Sequence, residues 1–96
     1  MSGDSGTETI RWPTNLDRKA IEKRLASVAV RAAALELAEL SQRFAGVEAG
    51  MSAAQIASNV VASLTWLLNQ PAPERARYAD ITRELEMVAL NLKNLK

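Results

Sequence analysis

The chain has 96 residues, a formal net charge of +1 and 48% hydrophobic residues, which is enough for one domain with its own core. It contains no cysteine and no histidine, which excludes disulfide bridges, thiolate chemistry and imidazole-based catalysis or metal binding. The near-neutral charge gives no overall preference for a nucleic acid or another highly charged partner.

The first segment, residues 1–12, is rich in Gly, Ser, Asp and Thr and predicts a flexible tail before one helical domain at 13–96. Asp4 and Glu8 stand where a secretory signal would carry basic residues, so we expect no signal peptide. The absence of cysteine fits a reducing compartment, and we expect a cytoplasmic protein.

A first helix is predicted over about 15–44, because Thr14 and Asp17 have capping-box spacing and Gly46 follows as a stop signal. Two apolar lines run along it. The first line contains Ala26, Val30, Ala33, Leu37, Leu40 and Phe44, and the second contains Ile21, Leu25, Val28, Ala32 and Leu35. At 100° per residue the two lines lie on opposite sides of the helix, so both sides need cover. Either the helix bends or breaks near its alanines, or a second copy covers it. We favour the second copy.

A second helix is predicted over about 53–69. Ser52 and Gln55 have the spacing of a capping box, and Met51 and Ile56 that of a hydrophobic staple. From Ala49 to Pro73 the chain has no ionisable side chain, so this helix lacks the charged outer face of a typical surface helix. Frequent polar residues within it argue against a membrane span.

A third helix is predicted over about 74–95, after a stiff break that contains two prolines. Its apolar seam is Tyr78, Ile81, Leu85, Val88, Leu92 and Leu95. A separate helix starting near Asp80 is the alternative to one continuous helix. The sequence therefore predicts an all-α, three-helix up-down-up bundle that forms a dimer.

The carboxylate, hydroxyl and cationic side chains do not form a catalytic pattern. Glu36 and Glu39 have the i,i+3 spacing that could offer two oxygens to a metal, but the helical di-metal motif also needs histidine. No glycine-rich phosphate loop is present. We therefore predict a non-enzymatic protein with no catalytic, metal or cofactor-binding residues, no cofactor and no small-molecule substrate.

The uncovered apolar surface instead predicts a protein–protein interaction module, such as an adaptor, an assembly factor or an accessory subunit. Its expected partners are a second copy of the chain and another protein. The candidate interface residues are Ile21, Leu25, Val28, Leu35 and Trp66.

A small DNA-associated regulator is the alternative, using the basic start of the first helix. Its candidate contacts are Arg18, Lys19, Lys23 and Arg24. These cations are scattered around the helix, and the second helix has none to meet phosphate, so nucleic acid is the less favoured partner. A peripheral membrane binder is a weaker third option, because the second helix lacks the Lys and Arg of interfacial helices.

Overall fold

The computed structural model describes residues 15–47 and 50–93, and this part of the chain is all-helical. Its five helices are α1 (Arg18–Ala34), α2 (Ala38–Ala45), α3 (Ala53–Leu68), α4 (Ala72–Arg77) and α5 (Ala79–Leu92). The all-α prediction is confirmed, but the first and third predicted helices are each divided in two. The predicted tail at 1–12 and Thr14 lie outside the described residues. The predicted capping box of Thr14 and Asp17 is wrong, because Asp17 is itself the N-cap of α1.

The core lies where α1 packs against α2 and α5, and where α3 packs against α5. Every helix except the short α4 contributes fully buried side chains. The largest are Ile21, Leu25, Phe44, Ile56, Leu67, Ile81 and Leu85. The apolar seam predicted for the third helix is buried from Tyr78 to Leu92, whereas its last residue, Leu95, lies outside the described residues.

The start of α1 is held by two polar side chains. Asp17 is the N-cap, and its carboxylate accepts a hydrogen bond from the amide of Ala20 at 2.9 Å. One residue earlier, the amide of Leu16 donates to Oδ1 of Asn91 in α5 at 2.8 Å. Asn91 is fully buried and also donates from Nδ2 to the carbonyl of Met87 at 2.9 Å. This side chain therefore ties the entry of the first helix to the end of the last one.

The predicted continuous helix over 15–44 is wrong, because the chain reverses at residues 35–37. The amide of Glu36 donates to the carbonyl of Ala33 at 2.9 Å, and the amide of Leu37 donates to that of Ala32 at 2.8 Å. This pair of bonds is the Schellman motif, which closes a helix through one left-handed residue. Here that residue is Glu36, with φ of 64°.

The break explains the two apolar lines of the first predicted helix. Before the break, Ile21, Leu25 and Val28 of the second line are fully buried, whereas Val30 of the first line is 71% exposed. After the break, the buried residues belong to the first line, namely Leu40 and Phe44. A chain reversal thus lets two lines on opposite sides of a helix share one core.

Replacing Glu36 with glycine should stabilise the fold by about 0.5 to 1 kcal/mol. Glycine adopts a positive φ without the Cβ clash, and the larger entropy of glycine in the unfolded chain offsets part of this gain. Urea unfolding measures the change. The matched control is Glu39→Gly in the first turn of α2, which should destabilise by up to about 1 kcal/mol. Equal destabilisation by both variants would show that the left-handed turn at Glu36 carries no strain.

The predicted start of the second helix is confirmed in detail. Ser52 Oγ accepts from the amide of Gln55 at 3.1 Å, and Gln55 Oε1 accepts from the amide of Ser52 at 3.1 Å. Gly50 precedes this box at φ of 91°, a conformation that side-chain-bearing residues rarely adopt. Met51 packs partly buried against the core, and Ile56 is fully buried.

Ser52→Ala should destabilise the protein by about 1 kcal/mol, since the amide at the third position of α3 loses its acceptor. Ser27→Ala, at a serine inside α1 rather than at a helix start, is the matched control and should have little effect. Both are measured by urea unfolding. An unchanged midpoint for Ser52→Ala would mean that water replaces the cap without loss.

The predicted helix over 74–95 is also divided, with a break at Tyr78. Tyr78 has φ of −98° and ψ of 12°, so it belongs to neither α4 nor α5. Its side chain is buried and stacks on Trp66, with ring centroids 6.1 Å apart. The alternative of a short first turn followed by a separate helix is therefore the observed arrangement.

Candidate interaction surface

The side of α3 that faces away from the core carries no charge. We call this surface the α3 outer face. It consists of the exposed residues Ala54, Gln55, Ser58, Val61, Ala62, Thr65, Trp66, Leu68 and Asn69. Fully buried residues on the opposite side, Ile56, Val60 and Leu67, hold the helix on the core. The described residues therefore cover only one side of the charge-free helix noted in the sequence.

Three large apolar side chains stand out on the α3 outer face. Val61 is 58% exposed, Leu68 is 54% exposed and Trp66 is 41% exposed. Water around such side chains is released when another apolar surface covers them, which favours association. Val30 on α1 is more exposed, at 71%, but its neighbours in the sequence are charged and small residues.

A groove of about 370 Å³ runs along one edge of this face, between α2 and α3. It is lined by Leu37, Ala38, Glu39, Leu40, Arg43, Ala62 and Trp66. Nη1 of Arg43 donates to Oγ of Ser63 at 3.0 Å, and Ser63 is fully buried. This bond satisfies a hydroxyl in the core and holds the guanidinium against α3.

Sequence reasoning missed the Arg43–Ser63 pair. One signal was present, because Arg43 is the only cation between Arg31 and Arg75. Nothing in the local sequence, however, joins it to a serine 20 positions away on another helix.

The predicted interface is divided between core and surface. Ile21, Leu25 and Val28 are fully buried within the single chain, so they form its core and offer no contact surface to a partner. Leu35 is half-buried against the core at the chain reversal. Of the predicted set, Trp66 is the exposed residue, and the break in the first helix is the reason for the difference.

The four predicted nucleic-acid contacts are also divided. Arg18 pairs with Glu22 at 2.8 Å and donates to the carbonyl of Met51, and Arg24 pairs with Glu84 of α5 at 2.9 Å. Lys19 and Lys23 are exposed beside Glu22. Two of the four cations are thus engaged within the protein, which weakens a positive field on this side.

The structure also shows how the described acidic residues and apolar helices stand with respect to metal binding and membrane crossing. No cluster of three or more acidic side chains among them could hold a metal ion. Glu36 and Glu39 are separated by the start of α2, so they do not share a regular helix face. Within the described part of the chain, no helix has both the length and the apolarity to cross a membrane.

Comparisons with protein-family models, with curated proteins and with solved structures found no match to this chain. The surface itself is therefore the basis for a functional proposal.

At physiological ionic strength, we expect no binding to duplex DNA beyond a weak background. For a protein that neutralises several phosphates, a plot of log binding constant against log salt concentration falls with a slope of about 0.9 per phosphate contact. Fluorescence anisotropy with a labelled duplex across a salt series measures this slope, with Lys19→Gln/Lys23→Gln as the control. Tight, salt-sensitive binding that this variant abolishes would establish the DNA-regulator alternative.

Proposed function

We propose that this chain is a small, non-catalytic helical interaction module that forms a homodimer and serves as an adaptor, assembly factor or accessory subunit for another protein. The proposal rests on one observation. The α3 outer face is exposed and uncharged, and it presents Val61, Leu68 and Trp66 to solvent.

Two physical arguments connect this face with binding. First, covering apolar surface yields roughly 25 cal/mol per Å², and aromatic side chains such as Trp66 often supply a large part of binding energy. Second, burying the face desolvates no charged group of its own, so the penalty that limits many polar interfaces is absent. The solvated hydroxyls of Ser58 and Thr65 keep the face compatible with water in the free chain.

Self-association follows from the same neutrality. In a two-fold dimer the same patch meets itself, so any net charge on the patch would repel its copy. The α3 outer face has no charge to repel, whereas the exposed sides of α1 and α5 carry several charged residues.

The wild-type protein should therefore be a dimer at micromolar concentration. Val61→Glu should raise the dissociation constant of this dimer by at least about tenfold, because two carboxylates would be desolvated in one interface. Equilibrium sedimentation measures both. Val30→Glu on α1 is the matched control, since Val30 is the more exposed valine, and it should leave the dimer unchanged.

Circular dichroism and thermal unfolding of both variants check that each remains folded. A wild-type protein that stays monomeric up to hundreds of micromolar would reject self-association. Equal dimerisation of the wild type and Val61→Glu would reject the α3 outer face as the contact surface.

A further inference from the structure

The turn between α1 and α2 has a conformation that its residues do not favour. Glu36 has φ of 64°, a left-handed conformation in which the Cβ atom crowds the following carbonyl oxygen. Leu35, Glu36 and Leu37 are all helix formers, and no glycine or proline lies among them. The turn is also short, because only these residues separate the end of α1 at Ala34 from the start of α2 at Ala38. A short turn under strain is the kind of hinge at which copies of a protein exchange segments.

The start of α2 is a second feature that favours a continuous helix. Its N-cap is Leu37, which makes no side-chain hydrogen bond to the first amides of the helix. The first amides of any helix have no partner within that helix and depend on caps or water. If residues 35–37 were helical, the last carbonyls of α1 would accept hydrogen bonds from these amides. A continuous helix therefore supplies acceptors that the turn does not.

We propose that residues 35–37 form a hinge through which two copies of this chain exchange α1. When the hinge extends, α1 and α2 join into one helix over residues 18–45, and α1 leaves the core of its own chain. It then packs on α2 and α5 of the second copy, and the α1 of that copy packs on the first chain in return. This contact is separate from the α3 outer face, and the inference does not rest on the proposed dimer through that face.

The contacts of α1 identify a second copy as the partner. This helix packs against α2 and α5 and contributes fully buried residues such as Ile21 and Leu25 to the core. Nη1 of Arg24 donates to the carboxylate of Glu84 in α5 at 2.9 Å. In an exchange, each of these contacts forms again with the same side chains of the second copy. Only a chain with this sequence offers all of them, so the identity of the partner follows from the exchange itself.

The chain concentration during folding sets the balance between the closed chain and the exchanged dimer. In the closed chain, the turn tethers α1 to the rest of the core, which gives the contact a high effective concentration. The exchanged dimer loses this advantage, but it relieves the left-handed conformation at two hinges and extends two helices. Because α1 contributes fully buried residues, it changes partners only when the core opens. The exchanged dimer therefore forms when the chain folds at high concentration, and it separates slowly after dilution.

Isotope labelling detects the exchange directly. Arg24→Lys places an amine beside the carboxylate of Glu84, so a carbodiimide can condense the two groups to an amide and take up the water that is lost. Unlabelled chains of this variant and chains labelled with heavy nitrogen are unfolded in urea, mixed and refolded together at high concentration. In the dimer fraction from size exclusion, about half of these cross-links should join a labelled peptide to an unlabelled one, because pairing is random. In the control, the two kinds of chain are refolded separately and then mixed, and no mixed cross-link should appear.

Two hinge variants test whether Glu36 controls the exchange. Glycine adopts a positive φ readily and is a poor helix former, whereas alanine is the best helix former and is strained at a positive φ. Each exchanged dimer contains two hinges, so the effect of a substitution enters twice. After refolding at the same concentration, Glu36→Ala should give a ratio of exchanged dimer to monomer at least about tenfold higher than Glu36→Gly. Val61→Glu, on the α3 outer face, should leave this ratio at the wild-type value.

Size exclusion separates monomer from dimer, and mass spectrometry of the cross-linked peptides shows which chains are joined. Cross-links confined to peptides with the same label after refolding together would overturn the exchange, whether the protein is then a monomer or a dimer through the α3 outer face. Equal ratios for Glu36→Ala and Glu36→Gly would overturn the hinge at residues 35–37. Circular dichroism of each variant checks that it is folded.

Discussion

The reversal of the chain at residues 35–37 is the constraint on which the rest of the fold depends. It brings Leu40 and Phe44 of α2 into the same core as Ile21 and Leu25 of α1. The cost is one non-glycine residue in the left-handed region, about 1–2 kcal/mol at Glu36. Each large apolar side chain that becomes fully buried contributes about 1.5–3 kcal/mol, so burial of Leu40 and Phe44 outweighs the strain.

The same reversal determines which surface stays uncovered. Since α2 folds back onto α1, it reaches α3 only along the edge formed by the groove near Arg43. α3 also packs against α5, and Val61 and Leu68 remain 58% and 54% exposed, with Leu68 in a groove that Arg75 and Arg83 also line. An uncharged helix that sequence patterns would place in a core therefore has one buried and one exposed side. This exposed side is the basis of the proposed binding role.

Two buried polar side chains connect parts of the chain that are distant in sequence. Asn91 joins the residues before α1 to α5, and Ser63 receives Arg43 from α2. Hydrogen bonds of this kind contribute modestly to stability, but leaving a buried group without its partner costs about 1–3 kcal/mol. They therefore disfavour alternative packings of the helices more than they strengthen the observed one.

The signals that were read correctly from the sequence are local. The capping box of Ser52 and Gln55 depends on two side chains three positions apart, and the seam from Tyr78 to Leu92 depends on helical periodicity. Both follow from the geometry of a single helix, so neighbouring residues carry all the information. The lack of charge between Ala49 and Pro73 is also visible without a structure, and it identified α3 as unusual.

The tertiary structure decided where helices end when no local signal marks the end. Leu35, Glu36 and Leu37 are good helix formers without glycine or proline, so local propensity favours a continuous helix at the very position where the chain reverses. The free energy gained by burying Leu40 and Phe44 in a core with α1 outweighs that local preference. This gain exists only once the distant helices pack together. For the same reason the core contains Ile21, Leu25 and Val28, which the sequence predicted as interface residues. The exposed apolar residues lie instead on the α3 outer face.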